Sequence, residues 1–377
     1  MSVPALRREQ PAIVDARRLA GLDLLRVVAG GALMVCHAGF WLAPFGWPDA
    51  LWFMLGHVGV EAFLVCTTFL AAHQFLCTGS GPGRAVLHGA LRLWPLYALL
   101  LGINALLGPV GTTLPPSLAA YAALMQNLVT PHPPFFGEAW IVAAAMLLAV
   151  VVPLLCALLR RLAFAPGLVV LAVGIVAGWG VRALAVAALD PAFDEGVRKV
   201  LAMRLDLPFY GVALAWLAVQ RPHAFARRPG ALALLGVITL AGVAVAHFAL
   251  PLDRSFAARV ALPALCDVGW CLLVPWATKR DLATWLGRPL AVGADAAYAG
   301  LLTHMTLLRV LILAGVPATA ASRSEGVLRL VAYVAAATIL ALVLSRWVDR
   351  PWRRWLGRRA GLSTSRGTAR TPHASDH

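Results

Sequence analysis

Residues 22–39 read Leu-Asp-Leu-Leu-Arg-Val-Val-Ala-Gly-Gly-Ala-Leu-Met-Val-Cys-His-Ala-Gly, an apolar run that contains Arg26 and His37. These two residues are eleven positions apart, or about three helical turns, so a helix places both on nearly the same face, about 16 Å apart along its axis. If the run crosses a membrane, Arg26 lies at one boundary and His37 lies well inside. Because charged and titratable side chains are costly within a bilayer, this pair predicts a functional site.

The composition of the whole chain agrees with membrane insertion. The 377 residues are 60% hydrophobic and 13% charged, with a mean hydropathy of +0.79. Soluble domains carry about twice that share of charged residues. Apolar runs of about 20 residues recur with no polar domain between them and no strand-like alternation, so we predict an all-α, polytopic transmembrane helical bundle. The net charge of +15 is interpreted as a topology signal in loops and tails, and not as a nucleic-acid-binding surface.

Ten membrane spans with both termini cytoplasmic are predicted from the apolar runs and the arginine distribution. The spans cover approximately residues 22–44, 51–76, 88–107, 137–159, 166–189, 199–219, 230–250, 257–278, 290–315 and 327–347. A further apolar stretch, 117–130, would reach only about 20 Å and is expected to be a re-entrant or outer-face helix. If residues 117–130 do not cross the membrane, all arginine-rich loops lie on the cytoplasmic side. This agrees with the positive-inside rule and predicts a bacterial-type inner-membrane protein.

Three regions follow from this topology. We predict a cytoplasmic N-terminal segment (1–21), a transmembrane domain (22–354) and a basic, disordered cytoplasmic tail (355–377). The six cysteines have no metal-ligand or disulfide spacing, so no metal site is expected.

Several short motifs follow the Arg26–His37 pair in a fixed order. They read Gly59-Val-Glu61-Ala-Phe-Leu-Val-Cys-Thr67-Thr68-Phe69, Arg92-Leu-Trp-Pro95, Gly137-Glu138-Ala-Trp140, Arg204-Leu-Asp206, Tyr298-Ala-Gly-Leu-Leu-Thr-His304 and Asp349-Arg350-Pro351-Trp-Arg353-Arg354. From about Leu22 to Arg354, the chain resembles the acyltransferase-3 family of integral-membrane acyltransferases. It departs from the family pattern where Thr68 replaces a glycine, where Gly89 replaces the first arginine of an Arg-x-x-Arg pair, and where Ala145 replaces a glutamate.

The resemblance implies an O-acyltransferase that moves an acyl group, usually acetyl, from cytoplasmic acyl-CoA to a hydroxyl group. The implied acceptor is a sugar of an envelope glycan, or a lipid-linked sugar, presented at the outer face of the membrane. Acyl-CoA is then a substrate, and no permanently bound cofactor is expected. A succinyl or other acyl donor is the nearest variant of this function.

His37 and Glu61 are the candidate catalytic residues. Acyl transfer to an alcohol needs a base near the hydroxyl group, and a neutral imidazole suits that role, so His37 is the candidate base. The alternative for His37 is a hydrogen-bonded packing residue. Glu61 lies inside the second span, and its alternative role is an internal ion pair with Arg26 or Arg92.

Arg26 and Arg92 are the candidate acyl-CoA-binding residues, because a guanidinium group matches a phosphate as a bidentate partner. Their alternative role is that of anchors at the ends of helices. The hydroxyl groups of Thr67 and Thr68 are candidates to stabilise an oxyanion, or else they bond their own helix backbone. Candidate residues on the substrate side are Trp140, Tyr298 and His304, with Glu138 as a substitute for the missing glutamate.

Two further interpretations remain open at this point. A proton-coupled secondary transporter would use Arg26, His37, Glu61 and Asp295 as a proton relay. No repeat between the two halves of the chain supports it, although many transporters have one. An inactive structural protein would explain the substitutions at Gly89, Thr68 and Ala145.

Overall fold

The computed structural model describes residues 19–78, 80–108, 117–280, 282 and 284–359. In these ranges the chain is all-α, and ten of its helices are long and apolar enough to cross a membrane. The protein is therefore a multi-pass membrane protein, as predicted.

The long helices match the predicted spans closely. They are α1 (Ala20–Ala38), α2 (Asp49–Thr78), α3 (Pro82–Leu107), α5 (Ala139–Leu159), α6 (Phe164–Leu189), α7 (Leu207–Gln220), α9 (Pro229–Ala249), α10 (Phe256–Ala277), α11 (Thr284–Leu313) and α12 (Arg323–Leu344). Three short helices are α4 (Leu118–Ala122), α8 (Pro222–Phe225) and α13 (Arg350–Arg359). A 3₁₀ turn, Leu201–Arg204, begins the span that α7 completes.

The end of the last span differs from the prediction. Ser345–Asp349 form a π-helical turn after α12, and α13 continues to Arg359, so residues 355–359 are helical and not part of a disordered tail. The continuous helical run Arg323–Arg359 has 37 residues. It rises about 55 Å, well beyond about 30 Å of hydrocarbon, so part of it extends out of the bilayer. The remainder of the predicted tail, like residues 1–18, lies outside the described residues.

The short apolar stretch 117–130 does not form a spanning helix, as predicted. Only Leu118–Ala122 are helical, which is less than the helix that the sequence suggested. The Tyr97 hydroxyl of α3 donates to the Tyr121 carbonyl at 2.8 Å, and the backbone N–H of Leu201 donates to the Asn127 carbonyl at 3.0 Å. These bonds hold the stretch against α3 and against the turn that precedes α7.

The helix ends form two groups held together by long-range hydrogen bonds. At one end, Arg160 donates to the Ser80 carbonyl and Lys279 donates to the Ala226 carbonyl. We call this the basic end; it comprises residues 78, 80–82, 159–164, 220–229, 277–280, 282, 284 and 345–359. At the opposite end, the Trp41 indole donates to the Pro317 carbonyl at 3.1 Å.

Helix α2 lies at the centre of the bundle, and two glycines allow its neighbours to approach it closely. A Cβ atom on Gly59 of α2 would lie 2.8 Å from the Ala29 carbonyl oxygen of α1. A Cβ atom on Gly211 of α7 would lie 2.6 Å from the Thr68 Cβ of α2. Since real Cβ contacts are not that short, both helix pairs require glycine at these positions, and the contact with α1 fixes the helix that carries His37.

Candidate active site

His37 and His304 form a pair of imidazoles inside the bundle. Their ring centroids are 5.1 Å apart and the ring planes are inclined by 41°. His37 is half-buried in the last turn of α1, whereas His304 is fully buried in α11. The structure thus brings the predicted base into contact with a residue that the sequence placed on the substrate side.

His304 is held in one orientation by its surroundings. Its Nδ1 donates to the Gly300 carbonyl at 3.1 Å, which leaves Nε2 as the acceptor nitrogen. Nε2 is buried and has no hydrogen-bond partner among the described residues. The Tyr333 hydroxyl donates to the His304 carbonyl at 2.9 Å, which ties α12 to this turn of α11. An oriented imidazole with an unused lone pair is suited to accept a proton from a bound group.

Glu138 lies beside this pair, immediately before α5. Its Oε1 is 3.8 Å from His304 Nδ1 and accepts a hydrogen bond from the Met305 backbone at 2.7 Å. Burial raises the pKa of the Glu138 carboxyl to about 8, so this group is largely uncharged at neutral pH. Glu138 therefore connects the start of α5 to α11 next to the histidine pair without adding a full charge there.

A cavity of about 430 Å³ reaches Glu138 from the opposite end of the bundle. Its polar lining comes from Asn104, Glu138, Thr306 and Arg309, and the rest of its wall is apolar. Arg309 donates to the Asn104 side chain and to the carbonyls of Leu107 and Gly108, which fixes its guanidinium group at the mouth of the cavity. The histidine pair is thus linked through Glu138 to a cavity with a mixed polar and apolar wall.

Arg26 and Arg92, the candidate acyl-CoA-binding residues, lie together toward the basic end. Arg26 is 3.7 Å from the Asp23 carboxylate in the first turns of α1. Arg92 of α3 is exposed and is close enough to Arg26 for electrostatic interaction. The Tyr298 hydroxyl donates to the Leu93 carbonyl at 2.7 Å, so Tyr298 lies beside Arg92 and not beside the histidine pair.

Glu61 forms a buried ion pair, and the partners predicted for it, Arg26 or Arg92, are wrong. Arg204 binds both oxygens of Glu61, at 2.6 and 2.8 Å, and also the Asp267 carboxylate at 3.0 Å. His57 lies 3.8 Å from Glu61 and 3.1 Å from His247. Glu61 therefore stands in a network that joins α2 to α9, α10 and the turn before α7.

The remaining candidate residues occupy separate places. The Thr68 hydroxyl donates to the Leu64 carbonyl at 2.8 Å, the backbone bond that was the alternative to an oxyanion role. Thr67, its neighbour on α2, is half-buried. The Trp140 ring lies 4.9 Å from the guanidinium carbon of Arg198 and contributes a cation–π contact. Asp206 binds Arg182 at 2.6 Å.

Two contacts of this site could not be predicted from the sequence. Glu138 and His304 are 166 positions apart, and nothing in their spacing shows that α5 begins against α11. The pairing of Arg204 with Glu61 spans 143 positions. Only the charges themselves, rare within apolar runs, mark such residues as candidates for pairing.

Fold and site together define a multi-pass membrane protein with a histidine pair inside its bundle, arginines toward one end and a cavity toward the other. The family model for acyltransferase 3, described as an acyltransferase domain, matches residues 19–346. The chain therefore belongs to the acyltransferase-3 family and is a membrane acyltransferase. No curated protein and no solved structure matched the chain.

Proposed function

We propose that this acyltransferase moves an acyl group, acetyl in the simplest case, from cytoplasmic acyl-CoA to a hydroxyl group of a sugar or envelope glycan at the outer face. The observation that carries the proposal is the His37–His304 contact, which lies between arginines toward the basic end and the cavity at the opposite end. A donor and an acceptor that approach from different sides of a membrane require a reacting centre in that position.

His37 is the proposed base. Its imidazole takes the proton of the acceptor hydroxyl as the oxygen attacks the thioester carbonyl, and it returns that proton to the departing thiolate. The products are an ester and free coenzyme A, so atoms and charge balance without a covalent acyl-enzyme. The unpartnered Nε2 of His304 provides a second acceptor nitrogen beside the ring of His37.

On the donor side, Arg26 supports the proposal by its place on the helix of His37. About three helical turns, or 16 Å, separate the two residues along α1. An extended pantetheine arm has roughly this length, so a phosphate held near Arg26 leaves the thioester within reach of His37.

On the acceptor side, the 430 Å³ cavity supports entry from the opposite end. Its mixed wall suits a sugar that carries an apolar attachment, because such a molecule offers hydroxyl groups to Asn104 and Thr306 and an apolar part to the remaining surface. We therefore favour a lipid-linked sugar over a free soluble sugar as the acceptor.

Transfer of radioactive label tests the proposed function. We expect purified protein to move label from [¹⁴C]acetyl-CoA to lipid-linked glycan extracted from cells that express it, with succinyl-CoA as the comparison donor. Mild alkali should release the label, because the product is an ester. A cooperative thermal transition serves to show that the protein is folded. If folded protein labels no glycan with either donor, the proposal is wrong.

A further inference from the structure

Helix α13 brings a set of arginines against the start of α3 at the basic end. The Trp352 indole of α13 donates to the Leu91 carbonyl at 2.8 Å, one residue before Arg92. Tyr298 of α11 donates to the Leu93 carbonyl, one residue after it. Two hydrogen bonds therefore hold the segment that carries Arg92 between α13 and α11.

A cleft of about 350 Å³ lies at this junction and is lined by Asp295, Arg350, Arg353 and Arg354. The cleft draws its wall from α11 and α13, and Arg92 of α3 is close enough to Arg353 for electrostatic interaction. Three guanidinium groups of α13 thus line one space, and that of Arg92, from α3, lies within electrostatic range of one of them. Arginines that act only as topology anchors have no need to converge, because each can reach the headgroup region by itself.

The carboxylates at this cleft do not neutralise its arginines. Arg353 pairs with Asp349 at 2.8 Å, and Arg350 approaches Asp295 at 3.4 Å. Arg354 is exposed and makes no ion pair with the described residues, and none of them provides a hydrogen-bond acceptor for the buried Nε of Arg350. With Arg92 included, four arginines stand against two aspartates, so the cleft has room and surplus positive charge for an anion.

We propose that Arg350, Arg353 and Arg354 of α13, together with Arg92, form a phosphate-binding cleft that holds the nucleotide phosphates of the acyl-CoA donor. This inference rests on the proposed function and adds the C-terminal helix to the donor site. Guanidinium groups bind phosphate through paired, charge-assisted hydrogen bonds, which suits a nucleotide with several phosphate groups.

The position of the cleft along α11 fits a donor that ends at the histidine pair. Asp295 lines the cleft and His304 contacts His37, and both residues are on α11. Nine residues of helix separate them, a rise of about 14 Å. This rise is close to the separation of Arg26 and His37 along α1. The distance from the arginines to the histidine pair is therefore about the same along both helices.

Equilibrium binding to the purified full-length protein tests the cleft without depending on turnover. The probes are coenzyme A and 3′-dephospho-coenzyme A, which lacks one phosphate. We expect R354Q and the double variant R353Q/R354Q to bind coenzyme A about tenfold more weakly or worse, because a charge-assisted contact is lost. The affinity for the dephospho compound should change less, so discrimination between the two ligands falls. R358Q, one turn further along α13 and outside the cleft lining, is the matched control and should bind like the native protein.

Other results would overturn the proposal. Native-like binding by R354Q and R353Q/R354Q contradicts it even if the native protein transfers label, so this failure is separate from failure of the proposed function. A native protein that neither binds coenzyme A nor transfers label contradicts both. A lipid phosphate is the other source of the same chemistry. To distinguish it, the rate of label transfer is compared in phosphatidylglycerol and phosphatidylcholine vesicles. If R354Q binds coenzyme A normally but loses a rate increase that phosphatidylglycerol gives the native protein, the cleft binds lipid headgroups and the proposal is wrong.

Discussion

Replacement of His37 by asparagine is expected to lower the rate of acyl transfer by a factor of about 10² to 10⁴, the usual contribution of a positioned general base. The amide has a similar size and polarity but cannot take up a proton near neutral pH. His37 is half-buried and its side chain makes no hydrogen bond within the described residues, so the fold should tolerate the change. The measurement is the initial rate of label transfer at saturating acetyl-CoA, together with the melting temperature.

The matched control is H73N. His73 is a buried histidine of α2 whose ring contacts Phe69 and which lies within 4.0 Å of the Cys77 sulfur, near the basic end. Like His37, His73 is a histidine in a membrane helix, but it has no part in the proposed reaction. The H73N variant should therefore transfer label at a rate within about threefold of the native rate. A folded H37N protein with a native rate would remove His37 from the chemistry.

Loss of the Arg204 guanidinium is expected to produce the largest effect on stability. In R204M, Glu61 and Asp267 lose their shared cation while both remain fully buried. Breaking a buried ion pair from one side costs about 3–5 kcal/mol, because the remaining charge has no compensation. Thermal or denaturant unfolding in detergent measures the change. R329Q is the control: Arg329 pairs with Glu325 near the surface, and such pairs contribute about 1 kcal/mol or less.

A triple variant separates the structural role of Glu61 from a catalytic one. In E61Q/R204M/D267N no charge of this network is left unpaired, so part of the lost stability should return. If Glu61 serves only the fold, activity should return with stability. A stable triple variant without activity would support the prediction that Glu61 takes part in catalysis, and it would contradict a purely structural role.

The fold could be predicted because membrane spans require long apolar runs, which are easy to recognise in a sequence. Twenty apolar residues are needed to cross the hydrocarbon, so the ten spans are visible in the chain, and their predicted ends lie mostly within two or three residues of the observed helices. The stretch 117–130 was too short to cross, and the structure agrees. The extent of α13 was missed because a strongly polar helix outside the hydrocarbon resembles a basic tail in composition.

The site could be predicted only in part because its contacts join distant segments. Arg26 and His37 share one helix, so their relation follows from helical geometry. Two other contacts, His37 with His304 and Glu61 with Arg204, depend on which helices pack together. The spacing of residues along the chain does not show which helices are neighbours. Charge alone does not show that the arginines of α13 line a cleft.

Sidedness of the reaction is the most direct test of the claim that the histidine pair is reached from opposite ends. The protein would be reconstituted in sealed vesicles in one orientation, with labelled acetyl-CoA, which does not cross bilayers, on one side only. We expect labelled acceptor when the donor is on the side of the basic end and the lipid-linked sugar is exposed on the other side. Equal labelling from either side, or labelling only when donor and acceptor share a side, would contradict it.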